Sequence, residues 1–549
     1  MYFSPTPGKM DLFSLHSGRK FNSQFSLRPY LTNEENSTTS SSNRTDDDVA
    51  PVAATDKVVV VGAASPLSTG SSDLEKDSAS VSSEASSCEV TWEGLDDKLD
   101  PRNWSTLRKW IVIFQISMIA FVVTFGSSIY SCAVDEVHDD FHVSIPVATL
   151  GSCVYLVGFG MGSMAFAPLS EVYGRLIVYL ITLLGFVLFQ IGGGAATNIQ
   201  TLIIMRYFQG VFGSTPLANA GGTISDLFTP AQRTYVLPGF CTFPYLGPVL
   251  GSIIGSFIVQ SKLRWRWCFW INMIWAGSTW AMAFFILPET HGPTILSYKA
   301  KYLREVTGNT KWHTEFERSR NPKNAIYQAA TKSVTIICTE PIVVCFTLYL
   351  TLVYGVVYIN FESYPIIFKG YGFNTGEVGL SFIGNGLGII IAGLATPLVY
   401  KHYKHCLKKR NNKVVPEDRL YPLLPASFLL PISLFWFAWT SYTSVPWIVP
   451  IISTIFFGIG LLITFFVSYN YIIDSYQGFA ASALSSATLV RYSASGGLTM
   501  LARPMFLHLG TQWAMSLLAF LAVVMVPIPF LFLKYGKRIR QISRDACKD

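Results

Sequence analysis

Leu246-Gly-Pro-Val-Leu-Gly-Ser-Ile-Ile-Gly-Ser256 is the stretch on which the reading of this chain turns. Gly247, Gly251 and Gly255 are four residues apart, so a helix places them on one face, where a second backbone can come close. Pro248, in the same run, removes one helical hydrogen bond and predicts a bend nearby, a loss that lipid tolerates only beside a packed neighbour. Taken alone, the comb also suits an ordinary tight contact between transmembrane helices. What surrounds it narrows the reading.

Half of the 549 residues are hydrophobic and only 14% are charged, too few charges to cover the surface of a soluble domain of this length. From Lys109 onward, apolar runs of membrane-spanning length follow one another. Twelve are predicted, at 110–133, 147–169, 176–196, 200–224, 234–258, 267–287, 334–358, 376–399, 422–441, 446–470, 482–503 and 513–533. The fold class is therefore an all-α membrane protein with twelve transmembrane helices. The nine cysteines are scattered without a CxxC pair and read as small packing residues, which argues against zinc and against a disulfide framework.

The net charge of +7 is concentrated in a few loops, a distribution that points to membrane topology and not to nucleic acid. Eight Lys/Arg lie in 291–333, seven in 400–421 and six from Lys534 onward, whereas 134–146 has none and carries Asp135, Glu136, Asp139 and Asp140. The positive-inside rule then makes both termini and the central loop cytoplasmic. One outer connection dissents with Lys262, Arg264 and Arg266, and Trp265, Trp267 and Trp270 are expected to anchor it at the interface.

Residues 1–105 read as a disordered, Ser/Thr-rich cytoplasmic tail with no signal peptide, a solvated linker open to phosphorylation. Its Asn36-Ser-Thr and Asn43-Arg-Thr sequons would go unused on that side of the membrane. Beyond it the chain divides into a six-helix half at 106–290, a central loop at 291–333, a second six-helix half at 334–534 and a short basic tail at 535–549. Weak echoes link the halves: Ala167-Pro-Leu against Thr396-Pro-Leu, and Asp226 after the fourth span against Asp474 after the tenth. Two parallel six-helix repeats about an axis normal to the membrane are a transporter architecture.

Four patterns fall where such an architecture needs them. Pro168-Leu-Ser-Glu171-Val-Tyr-Gly174-Arg175 occupies a very short turn, where Gly174 permits the turn and Glu171 and Arg175 can bridge helix ends. Arg206-Tyr-Phe-Gln209-Gly210 puts a cation inside the fourth span, the glycine comb marks the fifth, and Pro288-Glu289-Thr290 closes the sixth. On these residues the chain resembles the major facilitator superfamily, and more closely the twelve-helix fungal drug:proton antiporters of its multidrug and polyamine exporter branch. The resemblance runs from about Asp100 to Tyr535 through Asp100-Pro-Arg-Asn-Trp104, Asp226 with Arg233, Tyr354 to Tyr358, Phe361-Glu362, Asp474-Ser-Tyr476, Ser482-Ala483 and Arg491. It departs at Ala167, where the family usually has Gly, and at Leu176, often a basic position. The first span, Trp110 to Cys132, holds no acid that could couple protons there.

The resemblance implies a proton-transfer role for Arg206 and links the comb of Gly247, Pro248, Gly251 and Gly255 to antiport. An unpaired cation in hydrocarbon costs about 2.5–3.5 kcal/mol, so Arg206 is expected to find carbonyls or an acid, and a purely structural donor is the alternative. Arg491, inside the eleventh span, invites the same argument. Glu362 and Glu340 are the remaining proton-coupling candidates, Glu362 towards the outer end of the seventh span and Glu340 as a helix-start residue beside Pro341. Glu171, Gly174, Arg175, Asp226, Arg233 and Asp474 are the candidate gate, with Glu171 expected to face the start of the eleventh helix at 480–482. Gln115, Asn219, Tyr354, Tyr358, Asn385 and Tyr469 are the candidate substrate cavity, since aromatic walls hold large apolar or cationic molecules without demanding one shape.

The function expected from these features is proton-coupled export of drugs, organic cations or polyamines by a monomer at the plasma membrane, with the vacuolar membrane as the alternative. Its partners are a small-molecule substrate, protons and the lipid bilayer, with no cofactor, metal or nucleic acid. An uptake symporter on the same fold and a non-transporting membrane sensor are the competing readings. An enzyme is disfavoured: the eight histidines are dispersed, and His402 and His405 lie among lysines that repel a metal.

Overall fold

The computed structural model describes residues 88–94, 96–319, 331, 333, 335–409, 415–476 and 480–543. The serine-rich stretches and both sequons lie outside the described residues. Two units separate by their contacts. In the smaller, the Val90 N–H donates to the His313 carbonyl at 2.9 Å and the His313 N–H to that of Cys88 at 3.2 Å. The larger unit comprises Thr91–Ala300 and Thr314–Asp549 and carries every membrane-length helix.

Within it, the segment before the first span has local structure, although the tail was expected to run to residue 105. The Asp100 carboxylate caps a short 3-10 helix, Pro101–Asn103, by accepting from the Arg102 N–H at 2.9 Å. Lys109 closes the segment from the first long helix by donating to the Arg102 carbonyl at 2.6 Å. Both contacts follow from residue type: an Asp ahead of a proline is a natural N-cap, and a lysine one turn into a helix reaches back past its own start.

The first half consists of α1 (Thr106–Ile129), α2 (Val134–Phe141), α3 (Ile145–Tyr173), α4 (Arg175–Gly194), α5 (Ile199–Gly213), α6 (Thr215–Leu227), α7 (Pro230–Gln260) and α8 (Arg266–Ile286). After α9 (Gly292–Thr307), which occupies part of the central loop, the second half follows. It comprises α10 (Pro341–Lys369), α11 (Thr375–Leu380), α12 (Ile383–Leu394), α13 (Thr396–Lys409), α14 (Leu423–Thr440), α15 (Ile448–Ser475), α16 (Ala480–Met525) and α17 (Pro527–Ile542).

Ten helical stretches among the described residues are long and apolar enough to cross a membrane. The fourth expected span is absent from that set because it divides into α5 and α6 at Ser214, ahead of Thr215-Pro216. The eleventh and twelfth form one stretch, broken where Gly510 takes φ +76°. Twelve spans result. The seventh begins later than expected because Pro341 fits the first position of a helix and forces Glu340 into an extended conformation, φ −100° and ψ 104°. Exposed Leu188, Ile204, Leu394 and Leu501 present the apolar outer surface that a bilayer requires.

The comb meets α1. A Cβ on Gly247 would lie 2.8 Å from the Phe121 carbonyl oxygen, on Gly251 2.7 Å from that of Phe125, and on Gly255 3.0 Å from that of Ile129. Three successive turns of α7 therefore touch three successive turns of α1, backbone to backbone. This is the close approach that the missing side chains allow.

Trp265 departs from its expected place at an interface. It is fully buried, its indole N–H donates to Asp140 at 3.0 Å, and its backbone N–H donates to Glu136 at 2.7 Å. Arg264 and Arg266 pair with the same Asp140 at 3.1 and 2.9 Å. The dissenting basic cluster is thus matched by the acids of α2, which supply the partners that a purely statistical charge rule leaves out of account.

Candidate functional site

Of the five arginines buried among the described residues, Arg206, Arg491 and Arg419 have surroundings that differ most clearly. Arg206 on α5 is 1% exposed. Its Nη1 donates to the Gly126 carbonyl at 2.9 Å and to Gln209 Oε1 at 3.2 Å, its Nη2 to the Ser127 carbonyl and its Nε to the Gly151 carbonyl, both at 3.4 Å. Gly126 and Ser127 belong to the last turn of α1, where carbonyls run out of intrahelical partners and the helix end carries partial negative charge. The rings of Tyr155 and Tyr130 lie 4.4 and 4.7 Å from the guanidinium. Dipoles and π faces thus surround this charge, and no ion pair to it occurs among the described residues. The geometry is that of a guanidinium donating to carbonyls of α1 and α3 and so joining them to α5.

Arg491 on α16 is equally buried, at 1% exposed. Its Nη2 donates to Thr488 Oγ1 at 3.4 Å, while Nε and Nη1 meet no acceptor among the described residues. Around it stand Tyr492 at 4.9 Å, Phe465 at 5.2 Å, Tyr354 at 5.5 Å and Tyr469 at 5.6 Å from guanidinium to ring centroid. Tyr245 of α7 closes the cage from the first half, 4.7 Å from Phe465, and Phe159 of α3 stacks on Tyr492 at 4.4 Å. A buried donor left unmade costs about 1–3 kcal/mol, more on a charged group. Tyr354 and Tyr469, expected to receive a cationic substrate, already face the protein's own cation.

The other expected cavity residues are spread more widely. Gln115 donates to the Thr279 carbonyl at 3.0 Å and braces α1 on α8, so it stands inside the first half. Asn219 on α6 and Asn385 on α12 are buried with unpaired amide atoms. Tyr358 shares a 2.8 Å hydrogen bond with Ser127, across the halves. It lies 5.2 Å from Tyr354, which donates to the Tyr492 hydroxyl at 3.0 Å. A line of hydroxyls therefore leads from the α1 turn beneath Arg206 to the ring beside Arg491.

Glu362 sits towards the end of α10 that carries Lys369, buried, with Oε1 unpaired. Nearby, Asp135 accepts from Lys369 at 3.3 Å and from Arg503 at 3.4 Å in exposed pairs. Glu340 stands at the start of α10, as expected of a helix-start residue, but it is buried. It makes no capping bond and is 0% exposed, and its carboxylate accepts from Tyr476 Oη at 2.8 Å and from Ser543 Oγ. It ties the start of α10 to the ends of α15 and α17.

The residues expected to form a gate fall into two groups. Arg175 donates to Asp226 at 3.4 Å and to Ser170 at 2.5 Å, and lies only 4.0 Å from the half-exposed Glu171. Gly174 takes φ +96°, and Glu289 sits against it, accepting from the backbone N–H groups of Arg175 and Leu176 at 3.0 and 3.1 Å. Glu289 thus caps α4. Burial pushes its carboxyl above the usual range, and the surrounding backbone N–H groups oppose that shift. Arg233 donates to the carbonyls of Phe228 and Ser225 at 3.2 and 3.4 Å, capping the end of α6. These contacts lie within the first half; of the helix start at 480–482, towards which Glu171 was expected to point, the side chains of Ala480 and Ala481 lie outside the described residues, and Ser482 is half-buried.

The second group crosses the halves. Arg419 Nε donates to Asp474 at 2.7 Å, Nη1 to Thr234 Oγ1 at 2.5 Å and Nη2 to the Pro230 carbonyl at 3.1 Å, with the Tyr403 ring 4.2 Å away. Sequence reasoning had counted Arg419 only as one more basic loop residue. Removing one partner of a buried pair costs about 3–5 kcal/mol, whereas exposed pairs such as those of Asp135 contribute about 0–1 kcal/mol. Arg419→Ala is therefore expected to open this face, raising the labelling of single cysteines placed at its α7 and α13 lining, whereas Lys369→Ala leaves that labelling unchanged. Equal labelling in all three proteins would remove the latch.

A family profile described as Major Facilitator Superfamily matches residues 116–500. The chain is 59% identical over 548 residues to the uncharacterized transporter mfs2 of Schizosaccharomyces pombe, covering 98% of this chain and 100% of that one. It is 38% identical over 449 residues to the efflux pump FUBT of Fusarium oxysporum, covering 81% and 75%. In structure it is similar to the proton:xylose symporter XylE bound to 6-bromo-6-deoxy-D-glucose, at a TM-score of 0.59 and 15% identity over 79% of this chain and 96% of that one.

Proposed function

Because the chain belongs to the major facilitator superfamily, and is thus a multi-pass membrane transporter and not an enzyme, we propose that it exports small molecules in exchange for protons. The observation that carries this reading is the packing of Gly247, Gly251 and Gly255 on α1, the feature that the antiporter branch links to exchange. The α1 turn that this packing fixes is the one whose carbonyls Arg206 holds. A relative named an efflux pump adds support for the direction.

In this proposal the halves rock about the midplane cage, Glu362 loads the proton from the α2 side, and the Arg419–Asp474 pair locks the opposite, cytoplasmic face. The cell surface is the membrane, both termini are cytoplasmic, and the carrier works as a monomer. Drugs, organic cations and polyamines are the cargo that family resemblance suggests. Uptake by symport is the second reading, favoured by the fold shared with a sugar symporter.

Vesicles carrying the protein and loaded with a fluorescent compound to which a deletion strain is hypersensitive separate the two. Release should accelerate under an inward proton gradient and lose that acceleration when the gradient is collapsed. Unchanged release after collapse would sink antiport, and gradient-driven accumulation would establish symport.

A further inference from the structure

We propose that Arg491 is the anchor for an anionic cargo: a planar aromatic or heteroaromatic acid carried in its ionised form. The inference builds on the transport reading and replaces the cationic cargo that family resemblance suggests with an anionic one. Arg206 shows what a satisfied guanidinium looks like here, with four acceptors within 3.4 Å. Arg491, at the same burial, has a single acceptor at 3.4 Å, and two of its nitrogens have no hydrogen-bond partner among the described residues. A guanidinium presents its donors as a rigid fork that matches a carboxylate in two parallel hydrogen bonds. The two forks of a guanidinium are Nε with Nη2 and Nη1 with Nη2; each here includes one of the unpaired nitrogens, and Nη2 carries two hydrogens, of which the bond to Thr488 uses one.

The walls fit the rest of such a molecule. Tyr354, Phe465, Tyr469 and Tyr492 surround the cation, and Tyr245 brings the first half to the same spot, so an aromatic ring admitted as the halves part would meet aromatic side chains on its way to the guanidinium. Tyr492 accepts from Tyr354 and so keeps its own hydroxyl hydrogen to give to a further oxygen. An organic cation would instead have to enter beside a guanidinium in a low-dielectric site, where like charges repel strongly. Because the cage is built from both halves, an anion held there also bridges the two bodies that must move.

Equilibrium binding to the full-length protein in detergent tests the charge class with three ligands of one shape: 2-naphthoate, 2-naphthamide and 2-naphthylmethylammonium. The acid should bind about ten- to a hundredfold more tightly than the other two, the range expected of a charge-assisted hydrogen-bond pair. Arg491→Gln should erase that preference while leaving amide binding in place, and Arg491→Lys should keep part of it. If Arg491→Gln does not fold, Arg491→Lys with the Tyr492→Phe variant carries the test, both showing a reduced preference for the acid. Preference for the ammonium compound, equal affinity for all three, no binding of any, or an acid preference untouched by the Arg491 variants would overturn the proposal. The experiment involves no gradient, so its failure leaves proton-coupled export standing, and failure of gradient-driven export leaves the binding result standing.

Discussion

Arg206→Ala is expected to reduce gradient-driven transport by about a hundredfold or more while the protein still reaches the membrane, because the charge-assisted bonds it loses contribute about 1.5–3 kcal/mol each. The loss acts through structure. The guanidinium gathers the last carbonyls of α1, one carbonyl of α3 and a side chain of its own helix at one point. Lysine at this position offers a point charge that cannot span acceptors on three helices, so Arg206→Lys should recover only a small part of the rate. Flux measured in vesicles, with surface expression as the control, decides. Full activity in the alanine protein would remove Arg206 from the coupling machinery.

The second large effect belongs to the comb. Gly251→Leu should prevent α7 from seating on α1 and abolish transport, since even its Cβ would stand 2.7 Å from the Phe125 carbonyl oxygen and against the Ser128 hydroxyl. Overpacking a fitted contact costs about 1–3 kcal/mol, and here backbone, which cannot rotate away, meets backbone. Gly239 is on the same helix, but a Cβ there would meet nothing within 4 Å. Gly239→Leu is therefore the matched control, expected to melt close to the unaltered protein, whereas Gly251→Leu melts clearly lower in a detergent thermal scan. Similar melting of the two variants would mean that the comb faces open space in the folded protein.

Much of the architecture was legible because it depends on local patterns. Apolar run length gives the spans, Pro341 fixes a helix start, and Gly174 fixes a turn with φ +96°. The comb announced a close helix neighbour but not which one, because spacing along one helix carries no information about its partner. The same limit applied to the charges. Arg206 could be placed inside a span, yet whether carbonyls or an acid received it depended on where α1 ends. Arg419 and Glu289 were present in the sequence as a loop cation and part of a Pro-Glu-Thr triplet, and the ion pair of the one and the helix cap made by the other depend on residues more than fifty positions away. Trp265 was misplaced for the converse reason: a tryptophan beside arginines suggests an interface, and only the return of α2 with Asp140 buries it. The aromatic positions at Tyr354 and Tyr469 were found, but the cation inside their cage was assigned to the proton pathway.

Proton movement opposite to cargo movement is the central claim, and it can be read directly. Liposomes containing the purified protein, a trapped pH-sensitive dye and the same fluorescent compound are diluted into compound-free medium at equal pH, and protein-free liposomes supply the leak to be subtracted. The account predicts that the interior acidifies as the compound leaves, and that the Arg206→Ala protein shows neither change. An interior that turns alkaline as the compound leaves, or compound that leaves through the protein with no change in pH, would contradict it.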